Sequence, residues 1–92
     1  MKTVNPIGEY TIIKIETKTE PHGEEQKRSI EKVSVFLTSP EVILVHPGDE
    51  VLLAKGVYND FTRVVNPFAK KTVGDDEYYI AVKEEEIIGV FE

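Results

Sequence analysis

Ninety-two residues make one domain, near the lower end of what folds alone, so burial against identical neighbours is an expected supplement. The chain is 40% hydrophobic and 30% charged, with 11 basic against 17 acidic residues, a formal net charge of −6 and no cysteine. That balance predicts a folded, soluble chain and excludes disulfides and thiolate metal sites. It also sets aside nucleic acid and anionic membranes as partners, because both repel an acidic surface.

In chain order, Met1 to Pro6 lacks the apolar core of a secretory signal, and a cytoplasmic location is expected. Tyr10 to Ile15 is rich in β-branched residues, follows Pro6 and Gly8, and reads as a strand. Residues 17–31 are charged and polar, with Ile30 the one aliphatic side chain and Pro21 and Gly23 inside, and read as a polar loop. Lys32 to Leu37 places Val33, Val35 and Leu37 on one face of a strand whose other face is partly apolar. After the break at Thr38-Ser39-Pro40-Glu41, Val42 to Val45 reads as a short buried strand stopped by His46-Pro47-Gly48-Asp49. It is far too short to cross a bilayer.

Glu50 to Ala54 is the next predicted strand, ended by Gly56. Residues 59–76 form a long connection for so small a domain, carrying Phe61, Val64, Val65 and Phe68, and are expected to hold a hairpin or a contact surface. Tyr78 to Val82 and Ile87 to Phe91 close the chain around the acidic turn Glu84-Glu85-Glu86. No stretch has helical periodicity. Short strands punctuated by Pro and Gly predict a single all-β domain over residues 1–92, a small barrel or sandwich.

Chemistry finds no footing in these residues. His22 and His46 have no metal-ligand spacing, and Ser29, Ser34 and Ser39 have no strand-turn-helix elbow around them. Gly48 and Gly56 stand alone, with no helix to complete a phosphate loop. The carboxylates of Glu84, Glu85 and Glu86 are adjacent and diverge, which suits a solvated turn better than a cation site. No enzyme, metal or cofactor is expected.

Three stretches, in order, resemble the GroES-type co-chaperonin family. Residues 5–14, Asn-Pro-Ile-Gly-Glu-Tyr-Thr-Ile-Ile-Lys, are similar to its opening strand. Pro47-Gly48-Asp49-Glu50-Val51-Leu52 is similar to its Gly-Asp-x-Val turn and strand. Residues 76–92 resemble its closing segment, an acidic-aromatic strand leading through an acidic turn into the last strand. The resemblance covers about half the chain and implies a partly open β-barrel in a seven-membered ring, the first strand of one subunit pairing with the last strand of its neighbour. Tyr10, Ile12, Ile13 and Ile15 would then face Ile87, Ile88, Val90 and Phe91, which also suits edge strands that need covering.

The family docks on an ATP-driven chaperonin through a mobile loop with a Gly and an Ile-Val-Leu tripeptide. Residues 17–31 occupy that place without the tripeptide, which makes Lys18, Ser29, Ile30 and Glu31 the expected docking residues. A second registration uses Val35, Phe36 and Leu37. The roof hairpin is cut down to Thr38-Ser39-Pro40-Glu41, and residues 59–74 look like an insertion exposing Phe61 and Phe68. The resemblance therefore implies a ring subunit that caps a chaperonin in the cytoplasm. The departures leave open a structural assembly or decoration protein, for instance of a virus particle, in host cytoplasm or virion. In it Phe61, Val64, Val65 and Phe68 would anchor a neighbour. A binding module on an SH3-like or OB-like barrel is the third possibility, weakened by the lack of a basic aromatic face.

Overall fold

Thr11, Ile13, Ile15 and Thr17 alternate with Lys14, Glu16 and Lys18. The first set is at most 3% exposed, and the charged set lies partly or fully in solvent. This period of two drives β1 (Tyr10–His22), which is followed by β2 (Glu25–Thr38), β3 (Val51–Leu53), β4 (Lys71–Thr72), β5 (Asp75–Lys83) and β6 (Ile87–Val90). The computed structural model describes residues 5–23, 25–65, 71–72 and 75–92, and among them there is no α-helix. The fold is small and all-β, as the residues predict.

Two antiparallel sheets make the body, one of four strands in the order β2-β1-β5-β4 and one pairing β3 with β6. A bridge between Ser34 and Glu50 joins β2 to the start of β3, with Val35 N donating to Asp49 O at 2.8 Å and Gly48 N to Val35 O at 2.8 Å. Between the sheets lie Ile13, Ile15, Val33 and Val35, then Val51 and Leu53, then Ile80 and Val82. Removing such aliphatic side chains from water is the main stabilising term, about 1.5–3 kcal/mol each.

Three expectations change. The stretch 17–31, read as a polar loop, is paired backbone, the outer half of a β1–β2 hairpin whose register runs Thr17↔Ile30 out to His22↔Glu25. A two-residue connection remains, beginning with Gly23 at φ 67°, the left-handed geometry that tight hairpins use. β1 pairs with β5 only as far as Lys18↔Asp75, so the hairpin continues beyond the sheet as an arm. Thirteen residues span about 43 Å at the usual rise, close to the longest dimension of 46 Å.

Second, β1 is no edge. It is flanked by β2 and β5 along residues 11–18, so its amides and carbonyls are shared within the chain. Third, residues 42–45 form no strand, because Pro40 and Pro47 bracket them and Ser39 turns the backbone instead, accepting from Val42 N at 3.2 Å through its carbonyl. Val42 and Val45 are buried while Ile43 and Leu44 face solvent. Residues 59–76 do hold a short antiparallel pairing, Lys71–Thr72 with the first residues of β5, while Val57–Asn59 and Phe61–Arg63 are 3-10 turns and Val64 bridges to Ile80.

Candidate functional site

A β-bulge shapes the base of the arm. Glu16 pairs with Lys32 and Thr17 with Ile30, which makes Glu31 the extra residue on the β2 side. Such an insertion bends a ribbon and sharpens its twist, so it aims the arm relative to the body. Lys18, Ser29, Ile30 and Glu31 are all exposed there, with Lys18 in register opposite Ser29 and Ile30 46% exposed. All four residues of the first registration are exposed, with Lys18 and Ser29 on one face of the ribbon and Ile30, the next residue along the strand, on the other.

Val35, Phe36 and Leu37 do not. Val35 is core at 3% exposure, Phe36 is the extra residue of a second bulge and tilts against Tyr79 at a ring separation of 4.8 Å, and Leu37 pairs with Ile12. The strand that the body needs has claimed this segment. The second registration is therefore withdrawn.

The expected subunit contact divides likewise. Ile12, Ile13 and Ile15 are 2%, 0% and 0% exposed inside the chain's own sheet and cannot reach a neighbour, whereas Tyr10 is 41% exposed at the start of β1. At the other end, Ile87 packs against the core, but Ile88, Val90 and Phe91 stay in solvent. A bulge explains this. Leu52 pairs with Gly89 and Leu53 with Ile87, so Ile88 is the extra residue. Leu52, Gly89, Val90 and Phe91 line a shallow open dent of about 90 Å³, well below the several hundred Å³ of a small-molecule site. Beyond its ladder to β3, β6 has no second strand partner among the described residues.

Val64 and Val65, expected as partner contacts, are half-buried. Val64 packs on the core, and Val65 N donates to Tyr79 O at 2.7 Å. They continue the sheet beyond β5 and are not free anchors. Phe68 and the side chain of Phe61 lie outside the described residues.

Among the described residues, two groups of charged side chains stand out. Lys14 Nζ sits 3.4 Å from Glu16 Oε1 and 3.5 Å from Glu77 Oε1. Burial pulls this ammonium down, but Glu77 and Glu16 outweigh it, and Lys14 titrates above its usual value. At the corner before β6, Arg63 donates through Nε to Asp60 at 2.9 Å and through Nη1 to Glu86 Oε1 at 2.7 Å. Glu86 Oε1 also accepts from Lys83 N at 2.9 Å. Arg63 thus clamps the 3-10 segment to the β5–β6 corner. Sequence spacing carries no sign of it, since the partners are 23 residues apart.

The clamp has a pH dependence. Burial pushes the Glu86 carboxyl up, but the bonds from Arg63 and Lys83 overcome this and hold it below the ordinary 4.5. Asp60 is also lowered, by hydrogen bonds from Thr62 and then Arg63. A carboxyl depressed in the folded state contributes fully above its unfolded value, and that contribution drains as pH falls through the folded value. Denaturation midpoints of the native chain are therefore expected to fall more steeply below pH 4.5 than those of a Glu86→Gln variant. Parallel curves would remove Glu86 from the clamp.

Glu84, Glu85 and Glu86 diverge as expected, Glu84 towards the Ile43 and Leu44 amides, Glu86 towards Arg63, and Glu85 into solvent. His46 is exposed at its turn, its N–H donating to Asp49 Oδ2 at 2.8 Å. The side chain of His22 lies outside the described residues. Among the described residues no three His, Cys, Asp or Glu side chains converge on one point, and no helix is long and apolar enough to cross a membrane. No family model, no curated protein and no solved structure matches the chain.

Proposed function

We propose that this chain is a co-chaperonin-like ring subunit that caps an ATP-driven chaperonin through the arm and catalyses nothing itself. The observation that supports the reading is the arm base, where Lys18, Ser29, Ile30 and Glu31 are each exposed on a ribbon leaving the body. One aliphatic side chain per subunit is a weak anchor, but several copies in a ring, seven by the family resemblance, engage together and multiply modest affinities. Self-contact then runs through β6, which has no second strand partner among the described residues, with Ile88, Val90 and the following Phe91 exposed there and Tyr10 exposed at the start of β1.

The test mixes the chain with a chaperonin and ATP and looks for a capped complex by electron microscopy. Ile30→Ser is expected to weaken capping at least about tenfold while the oligomer's mass, from light scattering, stays the same. Capping that survives the substitution sinks the docking assignment.

A second reading has its own support. Residues 17–31 are a register-locked ribbon, which suits a permanent contact in a structural assembly or decoration protein better than a loop that orders on binding. A defined oligomer with no capped complex would favour it. A monomer contradicts both readings.

A further inference from the structure

Three segments meet at the end of the body opposite the arm. Ser39 Oγ donates to the Gly8 carbonyl, and Glu84 N donates to Glu9 O at 2.9 Å. The Glu84 carboxylate accepts from Ile43 N at 3.2 Å and Leu44 N at 3.4 Å through one oxygen, Oε2. The last pair acts as a bracket. Residues 43 and 44 belong to no strand ladder, and a side-chain carboxylate satisfies both amides while their side chains turn outward.

The outcome is an apolar group held in water. Ile7 is 77% exposed, Ile43 74% and Leu44 71%, the three most exposed large hydrophobic residues described, and all belong to this one pole. Singly exposed aliphatics need no explanation, but a cluster fixed by dedicated hydrogen bonds does. Pre-ordering a contact loop lowers what a partner must supply in ordering it.

Charge selects the occupant. Residues 7–9, 39–45 and 83–85 carry Glu9, Glu41, Glu84 and Glu85 against Lys83 alone. Lys83 Nζ is already drawn to Glu9 Oε1 at 3.7 Å. Two copies of this pole facing each other would set carboxylate against carboxylate, so a symmetric self-contact is disfavoured. We propose that this pole binds a basic amphipathic segment of another protein, its aliphatic side chains covering Ile7, Ile43 and Leu44 and its lysines or arginines meeting Glu9, Glu41 and Glu85. The assignment is independent of the arm and of β6.

Fluorescence anisotropy with a labelled peptide of alternating Leu and Lys tests it, with a Ser-Lys peptide of equal charge as control. The Leu-Lys peptide is expected to bind with a Kd in the range of about 10–100 µM, weakening as salt rises, and the Ser-Lys peptide about tenfold more weakly. Ile43→Ser with Leu44→Ser should lose about tenfold in affinity with the thermal midpoint nearly unchanged, while Ile30→Ser binds like the native chain. Should the double variant fold poorly, Leu44→Ser alone carries the same expectation. Glu84→Ala and Glu85→Ala remove equal charge, but only the first opens the bracket, so it should weaken binding more. Equal binding of the two peptides, undiminished binding by the serine variants, or a change in oligomer mass on substituting Ile43 and Leu44 would each overturn the proposal. The last would reassign the pole to a contact between copies.

Discussion

Ile13→Ala is expected to destabilise the chain by about 2–5 kcal/mol, a large share of what a domain this small holds in reserve. Ile13 is fully buried and sits in the middle strand, in register with Val35 of β2 on one side and Ile80 of β5 on the other. Truncation there removes transfer energy and opens a cavity that two sheets must close around. Ile88→Ala, at a site 64% exposed, is the matched control and should change stability by less than about 0.5 kcal/mol. Urea denaturation followed by circular dichroism reads both. A loss under about 1 kcal/mol for Ile13→Ala would mean that β1 is not the central strand. Because Ile12, Ile13 and Ile15 are all interior, any effect of substituting them on assembly is expected to follow the loss of folding.

In the ring proposed above, Ile88→Lys combined with Phe91→Lys is expected to break the assembly into folded monomers. Both side chains are exposed, on and just after β6, so the substitutions leave the interior untouched. Lysines at a strand edge are a standard barrier to edge-to-edge pairing, and they would sit at every copy of the contact. Each 1.4 kcal/mol lost per contact is about a tenfold change in dissociation constant, and a closed ring loses several contacts at once. Light scattering measures the mass, and circular dichroism checks that the fold persists. A native chain that is already monomeric, or a double variant with unchanged mass, removes β6 as the assembly surface.

Strand positions were legible where β-branched and aromatic residues concentrate. Tyr10 to Ile15, Lys32 to Leu37, Val51 to Leu53, Tyr78 to Val82 and Ile87 to Val90 all lie in strands. What a strand neighbours was harder to read. The apolar richness of Tyr10 to Ile15 suits an edge awaiting a partner as well as a centre between two, and only the register with β5 decides it. The arm escaped notice for the opposite reason. Its sequence is almost wholly polar and charged, so no period of two stands out, and Pro21 and Gly23 are the marks of a reversal. Val42 to Val45 misled because four consecutive aliphatics mimic a buried strand, whereas the brackets at Pro40 and Pro47 bury only the first and last. The exposure of Ser29, Ile30 and Glu31 was legible in the polar stretch around them. The Arg63 clamp and the Glu84 bracket were not, since both join groups distant in sequence.

The 13 residues of β1 serve at once as the midline of the four-stranded sheet and as one leg of the arm. A load applied to the arm therefore passes along β1 into the body, where the ladders to β2 and β5 resist it in shear. The arm works as a cantilever rooted in the core, and whatever grips its end is mechanically coupled to the whole domain.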